Sequence, residues 1–180
     1  MKRRWGRVSL ALTLFALVGL TVPGLAAPAP DLGDCQQLQA PPGSTVTFHV
    51  YATGVQIYQW TGTSWSFVAP EAVLFGDAGH DAVVGIHFGT PTGPAWQSLS
   101  GSRVIGNGLT ARRCTPDPTA IPWLGLDALS TEGPGVFGQV SFLQRLNTVG
   151  GIAPTVPGGS VGEMVRVPYT AEYVFYHTHG

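Results

Sequence analysis

Lysine is missing from nearly all of this 180-residue chain: Lys2 stands alone. Apart from Arg3, Arg4 and Arg7 beside it, the basic residues are Arg103, Arg112, Arg113, Arg145 and Arg166, against ten Asp and Glu. Those five against ten leave a formal charge of −5 beyond the first 26 residues. Affinity for nucleic acid rests on clustered Lys and Arg, and attraction to anionic headgroups needs the same clusters. No nucleic-acid partner is therefore expected, and anionic membrane surfaces are disfavoured for the same reason. Charged residues of every kind make up only 11% of the chain, so the surface must be built from Ser, Thr, Gly, Gln and Pro. That composition suits an exported β-protein better than a cytosolic helical one.

Long apolar runs are scarce too. The run from Val8 to Val22 falls short of the ~18–20 residues that a bilayer span needs. It follows the positive residues Lys2, Arg3, Arg4 and Arg7, and Pro23-Gly24 breaks it before Ala26 and Ala27. That order predicts a signal peptide over residues 1–26, cleaved after Ala26, rather than a retained anchor. No stable membrane span is expected after cleavage, and the expected location is secreted or periplasmic, in the cell envelope. Leu32-Gly33-Asp34-Cys35 imitates a lipobox loosely, but Asp34 precedes the cysteine and the apolar run lies too far upstream. Cys35 and Cys114 are all the cysteine there is. In an oxidising compartment they predict one disulfide, with two free thiols or a metal pair as the alternative.

Helical periodicity is absent beyond the leader, apart from one turn's worth at Leu124–Leu129 after Pro122. What is present has period two. Residues 27–42 are a Pro/Ala-rich leader, with Ala27 to Asp34 expected as a flexible tether, and residues 43–180 are expected to form one β domain. Val46, Phe48 and Val50 alternate with Thr47, His49 and Tyr51, and Val55, Ile57 and Gln59 alternate with Gln56, Tyr58 and Trp60. Ala52-Thr53-Gly54 between them predicts a hairpin turn. Strands are expected at Trp65–Val68, ended by Pro70, then at Ala72–Phe75, Val83–Phe88, Ala95–Leu99 and Arg103–Ile105. Val136–Leu146 reads as a long strand, and Val165–Val167 and Tyr173–His177 close the sheet. Short strands at such spacing predict an all-β fold, a single-domain antiparallel sandwich or barrel.

Two catalytic motifs occur out of context. Gly106-Asn107-Gly108-Leu109-Thr110-Ala111 fits a dinucleotide fingerprint, but Arg112-Arg113-Cys114-Thr115-Pro116-Asp117-Pro118 cannot be the helix it must open. No cofactor-binding residues are therefore assigned. Gly158-Gly159-Ser160-Val161-Gly162 fits a nucleophile elbow, yet Pro154 and Pro157 precede it and an extended segment follows. The histidines carry more weight. His80 and His87 flank Asp81, with Asp77 nearby, while His177 and His179, two apart, share one face of an extended backbone. Paired imidazoles of this kind bind copper, zinc or nickel, so His80, His87, His177 and His179 are the candidate metal ligands, with His49 available to complete a site. The bland reading packs His87 in a strand and leaves His177 and His179 at a frayed end, with His179 mobile and no tight site. Tyr51, Tyr58, Trp60, Trp65, Trp96 and Trp123 read as core and cross-strand pairs, or as a surface for a sugar or an apolar ligand.

The segments GVQIY, NTVGGIAP, AIPWLGLDA and VPYTAEYVFY resemble a secreted family of bacteria and fungi known as domain-of-unknown-function family 3455. The resemblance covers most of the chain beyond the leader and implies no activity. It implies a histidine at the place of His87 before a Gly-Pro-Thr-Trp-type turn, which HFGTPTGPAWQ lengthens here. It also implies a cysteine pair where this chain has Trp60 and Pro157-Gly158-Gly159, with Cys35–Cys114 as a substitute staple. Two functions follow from the residues together with the resemblance. One is a non-enzymatic exported binding or interaction module of the cell envelope. The other is a metal-dependent enzyme or metal-binding protein built on the histidines. A small ligand in a barrel mouth is a third reading, favoured by a deep aromatic pocket.

Overall fold

The computed structural model describes residues 28–179, so the expected signal peptide at residues 1–26 lies outside the described residues. The alternation that begins at Ser44 does not turn at Ala52-Thr53-Gly54. It runs on as one strand, β1 (Ser44–Trp60), antiparallel to β2 (Trp65–Phe75). Gly54 is there for close approach: a Cβ on it would lie 2.1 Å from the Glu71 carbonyl oxygen. A glycine read as a turn is thus a point where one strand presses onto the next. Pro70 does not end a strand either. It pairs with Gln56 beside a bulge at Ile57/Tyr58, where the irregular ladder tolerates a residue without an N–H.

The chain continues through β3 (Val83–Thr90), β4 (Gly93–Ser98), β5 (Arg103–Gly106), β6 (Arg112–Cys114), β7 (Trp123–Glu132), β8 (Phe142–Gly150) and β9 (Met164–Thr178). Leu124–Leu129 is thus strand, not a helical turn. β9 joins the two short strands expected near the C-terminus into one. Neighbouring strands pair in the order β1-β2-β3-β4-β5-β7-β8-β9, and β9 pairs back with β1. The fold is a single-domain, closed, eight-stranded antiparallel barrel. β6 lies outside the ring, paired to the first half of β7.

Inward positions of each strand fill the barrel unevenly. Val50, Leu74, Val104, Leu143 and Phe175 pack one end, and Phe137 and Val140 plug it from the β7–β8 connection. That connection was expected to be strand. Gly133 and Gly135 take positive φ around Pro134, and the following residues bend so that both Phe137 and Val140 point inward. Phe137 packs on Phe48 and Phe175 with ring centroids 5.8 and 4.8 Å away.

The outer face of β8 and β9 is covered as well. Leu32, Cys35 and Leu38, the last in a 3-10 turn at Gln36–Leu38, lie over Phe142, Leu146, Val174 and Tyr176. Where a flexible tether was expected, the chain from Leu32 onward is a packed strap. Beneath it Gln144 is held on both sides: its Nε2 donates to the Leu38 carbonyl at 2.7 Å, and its Oε1 accepts from the Tyr176 hydroxyl at 2.6 Å. The strap is fastened by a Cys35–Cys114 disulfide spanning 79 residues, with Cα atoms 5.7 Å apart.

Candidate functional site

The four histidines weighed as metal ligands occupy three separate places. His80 has positive φ in the β2–β3 turn, stacks on Phe75 at 4.7 Å and lies 3.3 Å from the Thr53 hydroxyl. The neighbouring Asp77 carboxylate is engaged by the backbone N–H groups of Asp81 and Ala82, which hold its pKa below the usual range. His87 points into the barrel. Only His177 and His179 come together, with ring centroids 4.8 Å apart beyond the end where β9 leaves the ring. His177 Nδ1 donates to the Gln139 carbonyl, and His179 Nε2 lies 3.3 Å from Thr45 Oγ1. His49 is turned to Glu172 at 2.9 Å and stacks on Tyr51. Among the described residues, no group of three or more His, Cys, Asp or Glu side chains could hold one ion. The reason is topological: an inward residue and outward ones cannot share a ligand across a barrel wall.

The barrel end opposite the Phe137 plug is open. Below the rim lies a cavity of about 450 Å³, within the range of small-molecule sites. Its aromatic walls are Tyr58, Phe67, Trp96 and Tyr173, so two of the six aromatics singled out in the sequence reach it. The others serve elsewhere: Trp60 and Trp65 pair at the β1–β2 hairpin tip, Tyr51 is outside, and Trp123 supports the strap.

His87 is the central polar group of the cavity, 2% exposed. Its ring lies flat on the Trp96 indole, with centroids 4.3 Å apart and planes at 11°, and Tyr173 closes from the side at 5.1 Å. The Ala95 carbonyl can only accept, so the 2.8 Å contact to Nδ1 fixes the proton there and leaves Nε2 as a bare acceptor. Burial lowers the imidazole pKa to about 3, against the stabilising Ala95 bond and with help from the nearby Arg145 cation. His87 is therefore neutral at any physiological pH.

Arg145 stands opposite Tyr173 in the β8–β9 register. Its Nε and Nη2 both donate to the Pro122 carbonyl, at 3.1 and 2.8 Å, and its guanidinium also faces the Tyr173 hydroxyl. Among the described residues it has no carboxylate partner. Arg113 is exposed at the rim. Two of the five arginines beyond the leader thus line this cavity, and none of the ten carboxylates does. Gln56 Nε2 and Trp96 Nε1, on residues of the lining, are shielded from solvent and have no hydrogen-bond partner. Tyr169 and Tyr173 bond each other through their hydroxyls at 3.2 Å, and burial raises both pKa values, so neither is a phenolate.

Sequence reasoning named His87 and Trp96 but missed Arg145 and Gln56. Both sit on strands at inward positions, where an Arg or Gln among apolar neighbours was the available signal. The two motif imitations land in loops: Gly106–Ala111 runs from β5 toward β6 along the rim, and Gly158–Gly162 precedes β9, with no helix following either. Trp60 lies against Gly158, where a Cβ would meet the indole at 2.6 Å. The two places where the resemblance implies a cysteine pair are thus in contact here.

The chain matches no curated protein and no solved structure. Residues 41–177 match the family described as "Protein of unknown function (DUF3455)", a span from just before β1 to the end of β9. This chain belongs to that family.

Proposed function

We propose that this domain is a non-catalytic binding module of the secreted or cell-envelope protein set, and that it holds a small molecule in the open end of its barrel. One observation carries the reading: the open barrel end holds a cavity of about 450 Å³ with aromatic walls, two arginines and no carboxylate in its lining. A concave site of that size, mostly apolar with a few polar groups, has the form of a small-molecule site. The chemistry available supports holding over turnover. An imidazole with a pKa of about 3 is too weak a base for efficient proton abstraction near neutrality. No carboxylate lines the cavity to act as acid or nucleophile. The disulfide supports an oxidising compartment. Among the described residues no helix is long and apolar enough to cross a membrane.

The test is a ligand-induced melting screen with a general fragment collection, beside native mass spectrometry of the purified protein. Compounds that raise the melting temperature are expected to lose their effect in Ala111→Trp, which fills the cavity from its half-buried wall. Hits that stabilise Ala111→Trp as well as the parent would move the site elsewhere.

A further inference from the structure

The charge and donor pattern of the cavity goes further than its shape. Beyond the leader the molecule carries twice as many carboxylates as arginines, yet the cavity collects two arginines and no acid. Arg145 is half-buried there, its guanidinium bonded to the Pro122 carbonyl and facing the Tyr173 hydroxyl, and its charge without a carboxylate counter-ion. A cation fixed this way beside a cavity is complemented by an anion that enters it. A guanidinium favours a planar, two-oxygen acceptor over a point charge. The apolar remainder, with Tyr58, Tyr173 and the Trp96 ring, accepts a flat or short aliphatic body.

We infer that the ligand is a small organic carboxylate, its anion paired with Arg145 and its apolar body between the aromatic walls. The inference rests on the reading of the cavity as a ligand site and adds the chemical class. Arg113 at the rim draws anions toward the opening of an otherwise acidic protein.

The experiment compares benzoate, phenylacetate and hexanoate with their primary amides by calorimetry on the intact protein. Each acid is expected to bind at least tenfold tighter than its amide. Arg145→Gln is expected to weaken the acids by about tenfold to a hundredfold and to erase the difference while leaving the amides unchanged. Should Arg145→Gln fail to fold, the acid-to-amide ratio of the parent protein and the charge-keeping Arg145→Lys still decide the matter. Amides that bind as well as acids overturn the carboxylate class and leave the cavity reading standing. Failure of every acid and every amide to bind at millimolar concentration overturns both.

Discussion

His87 couples the interior to acid. In the unfolded chain an imidazole takes its proton near pH 6.5, whereas in the barrel it does so only near 3. Between those values the unfolded state binds more protons, so stability falls as pH falls. The contribution is fully present above pH 6.5 and disappears toward pH 3, with a slope of at most about 1.4 kcal/mol per unit. The groups facing the ring are the Arg145 guanidinium and Tyr173, whose hydroxyl is pushed further above that window by burial. Asp77 and Asp117, whose carboxyls are held ionised by hydrogen bonds, lose their contribution only below about pH 4. Denaturant melts between pH 5 and 6.5 are therefore expected to slope for the parent and to flatten for His87→Gln. Gly54 offers a second check at the same scale. Gly54→Ala forces a Cβ against the β2 backbone, and overpacking of this kind costs about 1–3 kcal/mol or more. A melting temperature equal to the parent's would show that β1 and β2 are further apart than described.

Among the elements, the period-two pattern marked the strands well and their ends badly. Nearly every expected strand lies within a real one, because apolar alternation reports a half-buried pleat whatever the topology. The errors cluster at Gly54, Pro70 and residues 133–141, where glycine and proline serve the curvature of a closed sheet or a plug instead of a simple turn. The site was legible only in part. His87 and Trp96 stood out by type, but the gathering of Arg145, Gln56 and Tyr173 depends on which strands become neighbours, and alternation does not encode that. The plug is testable by itself: Phe137→Ala removes a ring from the sealed end and is expected to cost about 3–5 kcal/mol in chemical unfolding, with the acid-to-amide ratio at the mouth unchanged. The strap is a second separable element. Reducing Cys35–Cys114, which closes a 79-residue separation, is expected to lower stability by about 4 kcal/mol and to open residues 28–42 to limited proteolysis. Proteolysis that is equally slow with and without reductant would show that the apolar contacts under Leu32 and Leu38 hold the strap alone.

At the scale of the whole molecule, ring closure governs how this protein meets others. Each of the eight barrel strands has a hydrogen-bonded neighbour on both flanks over part of its length. Idle flanks remain where strands outrun their neighbours: β3 covers β2 over Glu71–Phe75 but not Trp65–Pro70, and β8 covers β9 from Tyr169 but not Met164–Val167. Only β6 lies outside the ring. It is three residues long, and its far side is occupied by the strap: Gln37 Nε2 donates to the Arg113 carbonyl, and Arg112 reaches the carbonyls of Gln37 and Gln39. Docking by strand addition has its template at strand ends that project past the ring, such as Trp65–Ala69, a short flank that stops at Pro70. Around the closed waist, contacts with other macromolecules are read by side chains and loops. A barrel closed at its waist can be filled or touched there, and extended only from its lip.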